Sequence, residues 1–129
     1  MENTISLKED FGIQPPVIRK FDTGATRNVD NNKLDYEGFL SPLALEEFAK
    51  YMHSHRIQKD GTLRDSDNWQ KGIQKDVYMK SLWRHFFDLW KLHRGLIAIN
   101  PDTGQDFTKE ELLCAIMFNV QGYLHEELK

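Results

Sequence analysis

The stretch Gln74–Gly95, QKDVYMKSLWRHFFDLWKLHRG, decides the fold. Met79, Leu82, Trp83, Phe86, Leu89, Trp90 and His93 recur at spacings of three and four, the signature of one stripe on an α-helix. The stripe covers close to half of the helix circumference, which predicts the central core helix. Gly95 predicts its C-terminal stop. Lys91, His93 and Arg94 fall in the last turn, where cations suit the helix dipole.

Working outward, two further helices flank it. Ser41-Pro42 opens the first, since serine is a strong N-cap and proline suits the first helical position. Leu45, Phe48, Ala49 and Met52 then share a face, and the helix is expected to end near Arg56. Thr108-Lys109-Glu110-Glu111 opens the other with a capping box, Thr108 capping and Glu111 reaching back. Leu112, Leu113, Ile116, Val120, Tyr123 and Leu124 carry it toward the C-terminus. A Pro-Asp-Thr-Gly turn at 101–104 precedes it.

Residues 57–73 show no period, and Asp60-Gly61 marks a turn. Loops longer than about 12 residues are usually functional or disordered. Trp69 argues against disorder, and with Lys71 it suggests a flap over a phosphate site. Residues 1–40 read as an irregular arm with Pro15-Pro16, the turn-like Asp22-Thr23-Gly24 and a polar stretch at Asn28–Asn32. A short extended piece is possible at Val17–Phe21. Phe11, Ile13, Phe21, Tyr36 and Phe39 of the arm need apolar cover. The expected architecture is all-α: an arm over 1–40 and a helical domain of three main helices over 41–129.

With 129 residues the length prior is one domain. A hydrophobic share of 40%, with 12% aromatic, supplies a core without staples. The single cysteine, Cys114, excludes an internal disulfide framework and a multi-cysteine metal site. Neither a membrane-length apolar run nor a signal-peptide pattern occurs, so a soluble, cytoplasmic protein is expected. Net charge is -3. Lys50–Arg94 carries ten Lys/Arg against five Asp/Glu, and the rest of the chain carries seven against fifteen. A basic centre between acidic flanks suggests either an anion-binding middle or mutual neutralisation on folding. Nucleic acid is disfavoured as a partner, because the net charge is negative and the aromatics are assigned to the core.

Few residues are placed for chemistry. Ser81, His85 and Asp88 line up beside the apolar stripe, so His85 and Asp88 can point at one spot. They can bind a metal, move a proton, or merely hydrogen-bond at the core edge. Asn119 interrupts an apolar stretch, so it either holds a neighbouring backbone or reads a polar ligand. Glu111 is explained as the capping-box acid, and Glu46 and Glu47 as first-turn acids, although Glu47 can border a groove. His53 and His55 point to different sides of a helix and read as surface residues; Cys114 reads as a buried, inert thiol. Walker loops, Gly-x-Gly-x-x-Gly motifs, nucleophile elbows and His-Glu-x-x-His motifs do not occur.

The string SPLALEEF, SDNWQKGI, YMKSLWRHFFDLW and HRG, followed by a helix containing Phe118-Asn119, resembles the phage and bacterial dATP/dGTP diphosphohydrolase N-terminal-domain family. GATRNVDNNKLDYEGFLSP in the arm resembles that family's opening segment. The resemblance spans about residues 22–124, and its most specific pieces are Asn68-Trp69-x-Lys71-Gly72 and Arg84-His85. It implies a MazG-like helical bundle, a homo-oligomer, and Mg²⁺- or Mn²⁺-dependent cleavage of a purine deoxynucleoside triphosphate to monophosphate and pyrophosphate, in the trimming of phage nucleotide pools. On that expectation Glu47, Asp88 and Glu111 are metal ligands, and Asp88 and His85 act in catalysis. Arg27, Lys33, Lys71 and Arg84 clamp phosphate, Trp69 stacks on the base, and Asn119 hydrogen-bonds base or sugar. The alternative is a catalytically silent helical module that binds a nucleotide or a host protein.

Overall fold

The computed structural model describes residues 18–28 and 32–129. The expectations for Phe11, Ile13, Pro15-Pro16 and Val17 lie outside them, as does most of the polar stretch after Asn28. The chain divides into two compact units, Met1–Ser41 and Pro42–Lys129.

In the N-terminal unit, β1 (Ile18–Lys20) pairs antiparallel with β2 (Thr26–Asn28), with Arg19 opposite Arg27. Phe21 N donates to Ala25 O at 2.9 Å and Gly24 N to Phe21 O at 2.9 Å. Gly24 takes φ +89°, the left-handed step that closes a three-residue hairpin loop. Helix α1 (Tyr36–Phe39) follows, with the Asp35 carboxylate accepting from Gly38 N at 3.0 Å. The arm therefore holds regular structure, and the all-α expectation becomes a mostly helical chain with a small two-stranded sheet.

The second unit is built from α2 (Pro42–Ser54), a 3-10 turn (Asn68–Lys71), α3 (Lys75–His93) and α4 (Lys109–Leu128). Helix α2 starts at its proline. At the end of α3, Gly95 at φ +82° lets its N–H reach Leu92 O at 3.0 Å while Leu96 N reaches Lys91 O at 2.9 Å. That is a Schellman closure at the residue where the sequence asks for one. The capping box of α4 forms as expected: Thr108 N donates to Glu111 Oε1 at 2.8 Å, and Glu111 N to Thr108 Oγ1 at 3.1 Å.

The central helix is α4, not α3. Both α2 and α3 pack on it, α3 along much the greater length. Leu112, Cys114, Ala115, Asn119 and Gly122 are all buried on α4, whereas α3 buries only Tyr78 completely. Small side chains are the reason. At Gly122 the two backbones come so close that the Tyr78 ring lies directly over the bare Cα. The apolar stripe of α3 is correspondingly split. Tyr78 is buried and Leu82, Leu89 and Leu92 are half-buried, but Trp83, Phe86, Phe87 and Trp90 face outward. No helix among the described residues is long and apolar enough to cross a membrane.

Candidate functional site

The segment after α2 is not a free loop. Ile57 and Leu63 bridge antiparallel, with Arg64 N donating to Arg56 O and Gln58 N to Thr62 O, both at 2.8 Å. Asp60 and Gly61 sit at the tip, where the Asp60 carboxylate accepts from Thr62 N at 3.0 Å and from the Thr62 hydroxyl at 2.6 Å. The arginines at the base pin it further. Arg56 Nε donates to Arg64 O at 2.8 Å and Arg64 Nη1 to His55 O at 2.9 Å. Trp69, on the 3-10 turn, meets the rings of His125 and Phe118 on α4 edge-on, at centroid distances of 4.9 and 6.5 Å. Ile73 N reaches Glu126 Oε2 at 3.4 Å, and Lys75 pairs with Glu127 at 2.8 Å.

These contacts enclose a hollow of about 630 Å³ between α2, the pinned loop and α4. Trp69, Phe118, Ile73 and Met52 make an apolar wall, and Arg56, Arg64, His53, His55 and Asn68 supply polar groups. A cavity of this size with an apolar lining and a few polar groups is the usual form of a small-molecule site. The chemistry suits a flat aromatic ring carrying negative charge: the ring against Trp69, the charge against the guanidinium groups.

A smaller hollow of about 210 Å³ adjoins it, sharing Tyr51 and His55. Its lining is acidic, with Glu47, Glu110 and Glu111 around Tyr51 and Cys114. Burial, then Cys114 and Glu111, push the Tyr51 phenol up to about 12. Burial, with Glu47 and Glu110, also raises the Cys114 thiol, so both stay protonated at neutral pH. Negative potential of this kind favours a cation. Glu111 has one oxygen, Oε1, committed to the capping box.

The structure thus brings Glu47 and Glu111 together, but not with Asp88. Asp88 rides on the inward side of α3, half-buried, and is absent from both hollows. Among the described residues no three His, Cys, Asp or Glu side chains stand close enough to hold a metal ion. The expected trio of Glu47, Asp88 and Glu111 is corrected on this point. The reason is helix order: α2 and α3 each pack on α4, so an α3 carboxylate does not enter the α2–α4 hollow. Glu46 is exposed and lines neither hollow.

His85 shares the inward side of α3. Burial holds its pKa below the usual histidine value, Arg84 and His55 push the same way, and Asp88 opposes them. Its Nδ1 is buried without a hydrogen-bond partner. Asn119 is 3% exposed, its amide donating to Ala115 O at 3.0 Å and to Ser81 Oγ at 3.4 Å. It ties α4 to α3, and burial withdraws it from the ligand contact expected of it. Lys71 is exposed and pairs loosely with Asp65 at 3.8 Å. Arg84 is exposed on α3, and Arg27 and Lys33 belong to the N-terminal unit.

Sequence reasoning missed Arg56, Arg64 and Tyr51, and set His53 and His55 aside as surface residues. The available signal was two arginines placed symmetrically about Asp60-Gly61, the spacing of a short bridged turn. No protein family, curated protein or solved structure matches the chain.

Proposed function

We propose that the helical unit binds a purine nucleoside triphosphate in the larger hollow and cleaves it to monophosphate and pyrophosphate with Mg²⁺ or Mn²⁺. The observation that carries this reading is the lining of that hollow, where Trp69 and Phe118 face the same space as Arg56 and Arg64. A purine ring needs flat apolar surface and a triphosphate needs fixed cations. The resemblance of the Asn68–Gly72 and Arg84-His85 segments to the diphosphohydrolase family supports the choice of ligand. The acidic neighbour supports the choice of reaction. Magnesium commonly takes one or two carboxylates and completes its shell with water and substrate phosphates. Glu47 and Glu111 fit that requirement without a third carboxylate. When bound, the metal would neutralise phosphate charge and ease deprotonation of a water. His55, shared by both hollows, is placed to take up that proton.

The absence of a three-donor group among the described residues favours a second reading, a module that binds a nucleotide without cleaving it. A panel of nucleoside triphosphates with Mg²⁺ or Mn²⁺, read for pyrophosphate and separately for binding, separates the two. The hydrolase reading expects pyrophosphate release that falls at least about 100-fold in Glu47→Gln, with binding retained. That loss corresponds to about 2.7 kcal/mol of transition-state stabilisation. Binding without release establishes the module. No binding to the wild type, or binding unchanged in Trp69→Leu, removes both.

A further inference from the structure

Helix α3 is turned in an unusual way. Ser81, His85 and Asp88 face inward and are half-buried, while Trp83, Phe86, Phe87 and Trp90 face outward at 65%, 53%, 54% and 49% exposure. Scattered apolar residues on a surface need no explanation, but four large aromatics in one stripe do. We propose that this stripe is the interface of a homodimer, formed by antiparallel packing of α3 on α3 of a second copy. The inference is independent of the nucleotide reading.

Three observations select a second copy. The first is area. An aromatic side chain carries about 150–250 Å², so four that are half-exposed or more offer roughly 400–500 Å². A standard interface buries about 800 Å² per partner, a little over half of it apolar, so the stripe supplies the apolar part of one. The second is spacing. Trp83, Phe86 and Trp90 follow one another at three and four, the seam by which helix packs on helix. The seam is symmetric: at 1.5 Å per residue, Trp83 and Trp90 lie about 5 Å on either side of a point between Phe86 and Phe87. A two-fold axis there sets Trp83 of each copy opposite Trp90 of the other, as an isologous contact requires. The third is charge. In line with the stripe stand Asp76 in the first turn and Arg94 at the C-cap. An antiparallel pair brings each Asp76 toward the partner's oppositely charged end. A parallel pair sets like against like.

Sedimentation equilibrium and oxidative cross-linking of the full chain test this. The wild type is expected at twice its 15.2 kDa mass at micromolar concentration. Trp83→Glu is expected to weaken dimerisation at least about 30-fold, as loss of a buried aromatic anchor does, with helical circular dichroism unchanged. Phe86→Cys, beside the axis, is expected to give a disulfide-linked dimer under mild oxidation, while Lys80→Cys does not. A wild type that stays monomeric at about 100 µM overturns the proposal and leaves the stripe to another occupant. A dimer undiminished in Trp83→Glu, or one that Phe86→Cys fails to link, places the interface elsewhere and also overturns it. If Trp83→Glu does not fold, wild-type mass and the Phe86→Cys result decide.

Discussion

Gly122→Ala isolates the contact that makes α4 the central helix. In the middle of an exposed helix this change stabilises by up to about 1 kcal/mol, because alanine restricts the unfolded chain and favours the helix. Here the added Cβ would lie closer than 3 Å to Cε1, Cζ and Oη of Tyr78. Tyr78 is 1% exposed, so its ring has no room to retreat without moving α3. Overpacking of that kind costs about 1–3 kcal/mol, which outweighs the propensity gain. Gly122→Ala should therefore lower stability by about 1–2 kcal/mol. For a chain of this length that is roughly 3–10 °C in Tm. Urea unfolding followed by circular dichroism measures it, and Tyr78→Leu supplies the control. With the ring removed, Gly122→Ala should be neutral or stabilising, giving a coupling above about 1 kcal/mol in the double-mutant cycle. The Tyr78 hydroxyl is buried without a hydrogen-bond partner, so Tyr78→Phe should cost nothing or stabilise slightly. Equal or raised stability of Gly122→Ala in the wild-type background would refute the close approach of α3 and α4.

Two further outcomes follow from the same interior. Asn119→Ala removes the tie to Ser81 and should cost about 1–3 kcal/mol by leaving a part-buried partner unpaired; isothermal titration should show nucleotide binding unchanged in the cold. His85 is held below the ordinary 6.5, chiefly by burial, so it is neutral in the fold and more readily protonated when unfolded. Stability should be full above about pH 6.5 and be lost as pH falls below it toward the folded pKa. His85→Leu should flatten that part of a Tm-against-pH curve, and an unaltered curve would exclude His85 as its source.

The helix ends were legible because each is written in a few adjacent residues. Pro42, Gly95 and the Thr108–Glu111 box act on the backbone within one turn, and nothing distant overrides them. The rotation of α3 was not legible. Its apolar residues span so much of the circumference that periodicity cannot say which half meets the core. That choice is made on α4, where Cys114, Ala115 and Gly122 leave space for one face only. The small elements of the arm escaped for a different reason: Thr26–Asn28 and Tyr36–Phe39 are too short to show a period. At the candidate site, Trp69 was visible as an aromatic in an aperiodic stretch. The convergence of carboxylates was not, because it depends on which helices are neighbours rather than on spacing within one.

The segment that its length marks as a moving flap is stapled to itself. Arg56 and Arg64 each hold a backbone carbonyl across its base, and Asp60 folds its tip. The ordering of that wall is thus complete before any guest arrives, so its entropic cost falls on folding and not on association. Capture in such a chamber is a one-step encounter, with a rate that rises in proportion to guest concentration and shows no slow closing phase. It also ties recognition to architecture: replacing either arginine by lysine keeps the charge but unpicks the staple. The two residues best suited to meet an anion are thereby also those that give the chamber its shape.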